Sequence, residues 1–131
     1  MRQTPTEKHY AGQMAFHGGA AAEAVVERRY VAAGCEPVAR RWRGSGGEID
    51  LILREGDAFI FVEVKKSRSF EQAACRITPK QTRRIFETAM EFVALQPAGL
   101  LRDMRFDVAL VDGVGDVSVI ENALHSDGIA T

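Results

Sequence analysis

The sequence predicts an α/β domain in which helices pack on a mixed sheet, in the order α-β-β-β-α-β-β. Three observations predict it: a helical recurrence of apolar residues closed by Gly34, two β-rich runs around Gly56-Asp57, and Thr78-Pro79-Lys80-Gln81 ahead of a second helical recurrence.

The first helix is expected over residues 15–33, because Ala22, Val25, Val26, Tyr30 and Ala33 recur at helical spacing and Gly34 supplies a C-terminal cap. A strand over residues 37–42 follows. Gly56-Asp57 then reads as a hairpin loop between two strands. With a loop of those two residues, Asp50 falls opposite Glu63 and Glu48 opposite Lys65. The reverse face becomes aliphatic, pairing Ile49 with Val64, Leu51 with Val62 and Leu53 with Ile60. Thr78 can cap the second helix, Pro79 suits its first position and Gln81 completes a capping box. Ile85, Phe86, Ala89, Phe92 and Val93 form its apolar stripe, and it ends before Pro97. Strands over residues 105–111 and 117–121 straddle a turn. One domain is expected over residues 1–131, with a mobile arm over residues 1–12 and a polar tail over residues 124–131.

No apolar run reaches the roughly 18 residues of a membrane helix, and no secretory signal opens the chain, so a cytoplasmic location without membrane attachment is expected. Cys35 and Cys75 belong to no Cys-x-x-Cys pattern and read as small buried residues. His9, His17 and His125 form no ligand spacing. The formal net charge of −1 argues by itself against a general polyanion binder. Yet residues 40–84 hold eleven Lys or Arg against six Asp or Glu, a local excess of +5. That excess suits either phosphate contacts or a solvated mixed-charge surface.

Two carboxylates directly opposite each other on a sheet repel, so Asp50 facing Glu63 needs a compensating partner. The partner is a proton, a nearby Lys or Arg, or a bridging divalent cation. A lattice with Glu48 and Lys65 is the plainer reading. Location favours the cation: Phe59-Ile60-Phe61-Val62 is apolar on both faces, as in a central strand, and Glu63 and Lys65 close it on one face. Charges placed there cost roughly several kcal/mol unless paired or metal-bound. Mg²⁺, with Mn²⁺ as an alternative, accepts one or two carboxylates and keeps water and phosphate oxygens as its other ligands. Asp50 and Glu63 would hold the ion, while Lys65 orients water or meets developing charge.

Gly47-Glu48-Ile49-Asp50-Leu51-Ile52, Phe61-Val62-Glu63-Val64-Lys65 and Arg105-Phe106-Asp107-Val108 resemble the YraN-like proteins, an uncharacterised bacterial family. That family is itself similar to the PD-(D/E)xK nuclease superfamily and especially to archaeal Holliday-junction resolvases. The likeness covers residues 19–123. It implies a restriction-endonuclease-like fold, with Asp50, Glu63 and Lys65 on the catalytic positions and Glu23 joining Asp50 and Glu63 as a metal ligand. It also implies DNA as substrate and a homodimer, although no segment announces an interface. Two departures stand out. Ile49 replaces the proline that names the superfamily motif, and Lys66-Ser67-Arg68 follows Lys65 where many relatives carry an arginine one residue before Arg68.

The combined reading is a Mg²⁺-dependent endonuclease acting on structured or branched DNA; the alternative is a non-catalytic nucleic-acid-binding domain on the same fold. Candidate backbone contacts are Arg40, Arg41, Arg43, Lys66, Arg68, Lys80 and Gln81. Trp42, flanked by arginines, suits core packing better than base stacking. Glu23 and Glu27 stand one helical turn apart and repel if both are ionised. Asp107 reads as structural, the holder of an arginine.

Overall fold

The computed structural model describes residues 11–97, 103–125 and 128–129. The elements are α1 (Ala11–Ala32), β1 (Glu36–Arg43), β2 (Glu48–Glu55), β3 (Ala58–Lys66), α2 (Phe70–Ala74), α3 (Pro79–Ala94), β4 (Met104–Val111), β5 (Val117–Ile120), β6 (Leu124–His125) and β7 (Gly128–Ile129). Five strands form one sheet in the order β1-β2-β3-β4-β5. Its pairs are antiparallel except β3 with β4, which run parallel and are joined through α2 and α3. This is the mixed α/β architecture expected from the sequence, with a strand order consistent with a nuclease-like fold.

Local chemistry accounts for most boundaries. α1 ends in a Schellman motif: Gly34 takes φ 100°, its N–H donates to Val31 O (3.0 Å), and Cys35 N–H donates to Tyr30 O (3.0 Å). Gly56 takes φ 61°, the left-handed conformation that the tight β2–β3 loop demands. That loop fixes the register, pairing Leu51 with Val62, Leu53 with Ile60 and Glu55 with Ala58. On α3 the capping box is complete, because Gln81 N–H donates to Thr78 Oγ1 (3.1 Å) and Thr78 N–H to Gln81 Oε1 (3.2 Å).

Several expectations need correction. α1 begins at Ala11, so positions 11 and 12 of the expected arm are helical, while residues 1–10 lie outside the described residues. The expected polar tail instead holds β6 and β7, paired antiparallel, with Leu124 buried; residues 126, 127, 130 and 131 lie outside the described residues. α2 went unforeseen, since five residues show no periodicity; Ser69 caps it by accepting from Gln72 N–H (3.2 Å). Cys35 is buried as expected, but Cys75 is exposed.

The sheet divides the core in two. On one face Ala22, Val26 and Tyr30 of α1 pack against Leu51, Leu53, Ile60 and Val62. On the other, Ile85, Ala89, Phe92 and Val93 of α3 pack against Ile52, Phe59, Phe61 and Val108. Aromatic contacts seat α3: Phe92 meets Phe59, Phe61 and Trp42 edge-on at 5.4, 6.0 and 5.3 Å, and Phe86 meets Phe106 at 4.4 Å. Trp42 therefore packs against the core, as its sequence context suggested.

Beneath α1, fully buried Asp107 accepts from Tyr30 Oη (2.7 Å), from Arg105 Nε (2.9 Å) and Nη2 (2.9 Å), and from Asn122 N–H (2.8 Å). Burial, followed by the Asp107 contact, pushes the Tyr30 phenol above its ordinary range. The carboxylate thus joins α1, β4 and the residues after β5. Asp107→Ala leaves a buried phenol without its acceptor and takes the nearest partner from a half-buried guanidinium that keeps Glu55 and Glu121 within reach, so a loss of about 2–3 kcal/mol is expected in chemical denaturation. Tyr30→Phe removes one hydrogen bond and should cost about 1–2 kcal/mol in the same measurement.

Candidate active site at the fork of two strands

The β2–β3 ladder is continuous from the loop to the Leu51–Val62 pair and goes no further. Beyond it Val64 N–H, freed from the ladder, donates to Asp50 Oδ2 (2.8 Å). The strands fork, and the Asp50 carboxylate replaces a backbone acceptor at the branch point. Asp50 is also passed over on its other side, where the register with β1 runs from Arg40–Leu51 to Trp42–Ile49 and leaves out Arg41 and Asp50. Arg41 has φ 50°, a left-handed conformation in a non-glycine residue.

This irregularity rolls β2 over by one face. Leu51 packs under α1, whereas Ile49 joins Ile52 and Trp42 under α3. The expected aliphatic row of Ile49, Leu51 and Leu53 therefore breaks at Asp50. The opposed pairs Asp50–Glu63 and Glu48–Lys65 lie beyond the last ladder pair, and Glu48 contacts Arg43 (3.3 Å) rather than Lys65.

Asp50, Glu63 and Lys65 nevertheless meet. Glu63 is 9% exposed, and its carboxylate pairs with Lys65 Nζ at 3.1 Å. Burial pushes the Glu63 carboxyl up, while Lys65 and a hydrogen bond with Asp50 pull it the other way. Burial, and then repulsion from Glu63, pushes Asp50 up to about 8; the Val64 N–H and Lys65 oppose the shift, and Glu23 adds to it. One ammonium thus faces two acids that share a hydrogen bond, repel each other once both are ionised and also feel Glu23.

Glu23 stands close enough to act on both acids, yet its carboxylate is taken by Arg41 Nε at 2.9 Å. Among the described residues no three His, Cys, Asp or Glu side chains are gathered closely enough to hold a metal ion. The two-carboxylate arrangement at the fork is what the structure assembles, and the convergence of Glu23 with it is not formed. Two partly buried acids short of positive charge fit a divalent cation that keeps water and phosphate as its remaining ligands.

The expected nucleic-acid contacts divide into two groups. Arg40 grips Glu27 through Nε (2.6 Å) and Nη2 (2.7 Å), Arg41 holds Glu23, and Arg43 reaches Glu48. These pairings also neutralise the repulsion anticipated between Glu23 and Glu27. Lys66, Arg68 and Lys80 are exposed and make no ion pair among the described residues. Gln81 serves the α3 cap and also lines a cleft of about 160 Å³ shared with Gly47, Glu48, Glu63, Arg84 and Ile85. Arg84 was missed by the sequence reading, although its spacing three residues after Gln81 on one helix was a usable signal. Also missed was the seat of the β1–β2 loop, where Ser45 Oγ and N–H both donate to Glu91.

The raised Asp50 value sets an expected pH dependence for metal-free protein. An acid held more tightly by its proton when folded adds stability that is fully present below the unfolded value of about 4 and is lost as pH rises through about 8. Asp50→Asn keeps an acceptor for Val64 N–H and carries no charge. Thermal unfolding in chelator should show this variant matching wild type near pH 4 and melting several degrees higher near pH 8.

Residues 22–111 match the model of a family described as Uncharacterised protein family UPF0102. A UPF0102 protein of Roseobacter denitrificans is 60% identical over 124 residues, covering 95% of each chain. One from Cereibacter sphaeroides is 52% identical over 113 residues, covering 86% of this chain and 97% of its own. A third, from Ruegeria pomeroyi, is 50% identical over 118 residues, covering 90% of each. The matched span includes the first-helix glutamate, both strands of the fork and the aspartate beneath α1, and the chain belongs to the UPF0102, or YraN-like, family.

Proposed function

We propose that this protein is a cytoplasmic, Mg²⁺-dependent endonuclease that hydrolyses phosphodiester bonds in structured or branched DNA. The observation that carries the reading is the fork itself, where two buried acids, Asp50 and Glu63, are brought together with Lys65 alongside. Structural carboxylates are normally satisfied, as Asp107 is by four donor groups. Unbalanced ones beside a cleft mark a candidate site for chemistry.

Asp50 and Glu63 would hold the ion. When bound, it supplies charge neutralisation and water activation. The Val64 N–H fixes the Asp50 carboxylate, and the ion pair with Lys65 fixes Glu63. Lys65 spends one of its three donors on Glu63, leaving two for an attacking water and a non-bridging phosphate oxygen. Water adds to phosphorus in line with the departing sugar oxygen as the P–O bond to that oxygen breaks; the added water gives up a proton to solvent and the leaving oxygen takes one from solvent, so a phosphomonoester and a free hydroxyl result. The branched-substrate preference rests on the resolvase likeness. The cations at the end of β3 and the start of α3, which make no ion pair among the described residues, suit a nucleic-acid backbone near the fork.

A binding domain without turnover is the competing reading, favoured by the engagement of Glu23 with Arg41. A panel of four-way junction, flap, nicked duplex and single strand, incubated with Mg²⁺ or Mn²⁺, separates the two. Cleavage that vanishes in chelator is expected, with Asp50→Asn, Glu63→Gln and Lys65→Ala each slowing it by at least about a hundredfold while circular dichroism stays native. Undiminished cleavage by Asp50→Asn removes the proposed mechanism. Salt-sensitive binding without cleavage on any substrate leaves the binding domain.

A further inference from the structure

The cations on the β1 side of the site are spoken for: Arg40, Arg41 and Arg43 are each paired with a glutamate. Those on α3 are not. Lys80, Arg83 and Arg84 are exposed and make no ion pair among the described residues. Arg84 is the one of these three whose side chain lines the cleft containing Glu63 and Gln81. It is also held close to the β1–β2 loop: a Cβ built on Gly47 would lie 3.7 Å from Arg84 Cβ. That loop is anchored to α3 by Glu91 and leads directly into β2 and Asp50. Arg84 therefore stands where α3, the loop and the fork meet, with its guanidinium in no ion pair among the described residues.

We infer that Arg84 binds a backbone phosphate of the nucleic acid and holds the strand over Glu63, so that substrate approaches across the N-terminal half of α3 rather than across β1. This rests on the nuclease reading above and names the side of the molecule that the substrate uses. A guanidinium suits the task, since its planar fork meets phosphate oxygens through two parallel hydrogen bonds. Lys80, one turn earlier on the same helix, extends the positive edge, and Gln81 adds a neutral amide. On the β1 side a phosphate would have to displace Glu27, Glu23 or Glu48 from its arginine before gaining a contact.

The test measures affinity for a fluorescent four-way junction, and for a duplex of the same arm sequence, in Ca²⁺ over a range of salt; cleavage kinetics are then followed in Mg²⁺. The variants are Arg84→Ala, Arg84→Lys and, for the opposite side, Arg28→Ala, an exposed cation on α1. Arg84→Ala should weaken binding about tenfold on both substrates, lower the salt slope by about one and raise KM more than it lowers kcat, with the melting temperature unchanged. Arg84→Lys should recover much of the affinity, and Arg28→Ala should match wild type. If Arg84→Ala binds like wild type, or Arg28→Ala is the weaker binder, the inference falls while wild-type cleavage leaves the nuclease reading standing. Arg84-dependent binding without Mg²⁺-dependent cleavage keeps the inference and removes the nuclease reading. Failure of wild type to bind either DNA overturns both.

Discussion

Two buried acids, Asp50 and Glu63, which repel each other once both are ionised, are held at the point where β2 leaves β3, and both cores pack against the strands that carry them. Holding them there takes a rigid floor. The aromatic cluster of Phe59, Phe61 and Phe92 provides one on the α3 side, and the aliphatic packing of Leu51, Leu53 and Val62 under α1 provides the other. Packed cores of this kind resist the small displacements by which the two acids would relieve their repulsion. The Val64 N–H and the Lys65 ammonium offset part of the cost. Neither brings the pair back to ordinary carboxylate behaviour, because both acids are still shifted upward.

Asp107 shows the contrast within the same sheet. It is as deeply buried as any group in the protein, yet hydroxyl, guanidinium and backbone donors surround it, and it joins three parts of the chain. Satisfied in this way, a buried charge is structural. At the fork the donors are too few for the acids present. Two upward-shifted acids, beside a cleft whose rim includes an arginine with no ion pair among the described residues, set the fork apart from the satisfied Asp107.

Family membership and the fork support each other at different levels. The relatives show that the sequence recurs over nearly its whole length, with 95% of each chain covered in one comparison. The geometry adds what a family described as uncharacterised does not carry. It shows which side chains are brought together, which arginines are already engaged, and which make no ion pair among the described residues.

Local rules were legible wherever chemistry a few residues apart sets the outcome. Gly34, the Gly56-Asp57 loop and the Thr78–Gln81 capping box each acted as read, and the hairpin register followed from loop length as far as the Leu51–Val62 pair. The meeting of Asp50, Glu63 and Lys65 was legible for the same reason, since adjacent strands of one hairpin carry all three. What lay beyond the sequence depended on groups distant along the chain. Strand alternation placed Ile49 with Leu51, but the left-handed Arg41 on the neighbouring strand accompanies a roll at Asp50 and sends Ile49 to the opposite core. Arginines that looked available for phosphate are held by glutamates of α1 and β2, which only the packing of α1 against β1 and the pairing of β1 with β2 bring into reach. Sequence periodicity thus determined the two long helices, the five strands of the main sheet and which acids lie at the fork. Tertiary structure decided which charges compensate one another, because Coulomb interactions depend on separation in space and the chain's order does not record that separation.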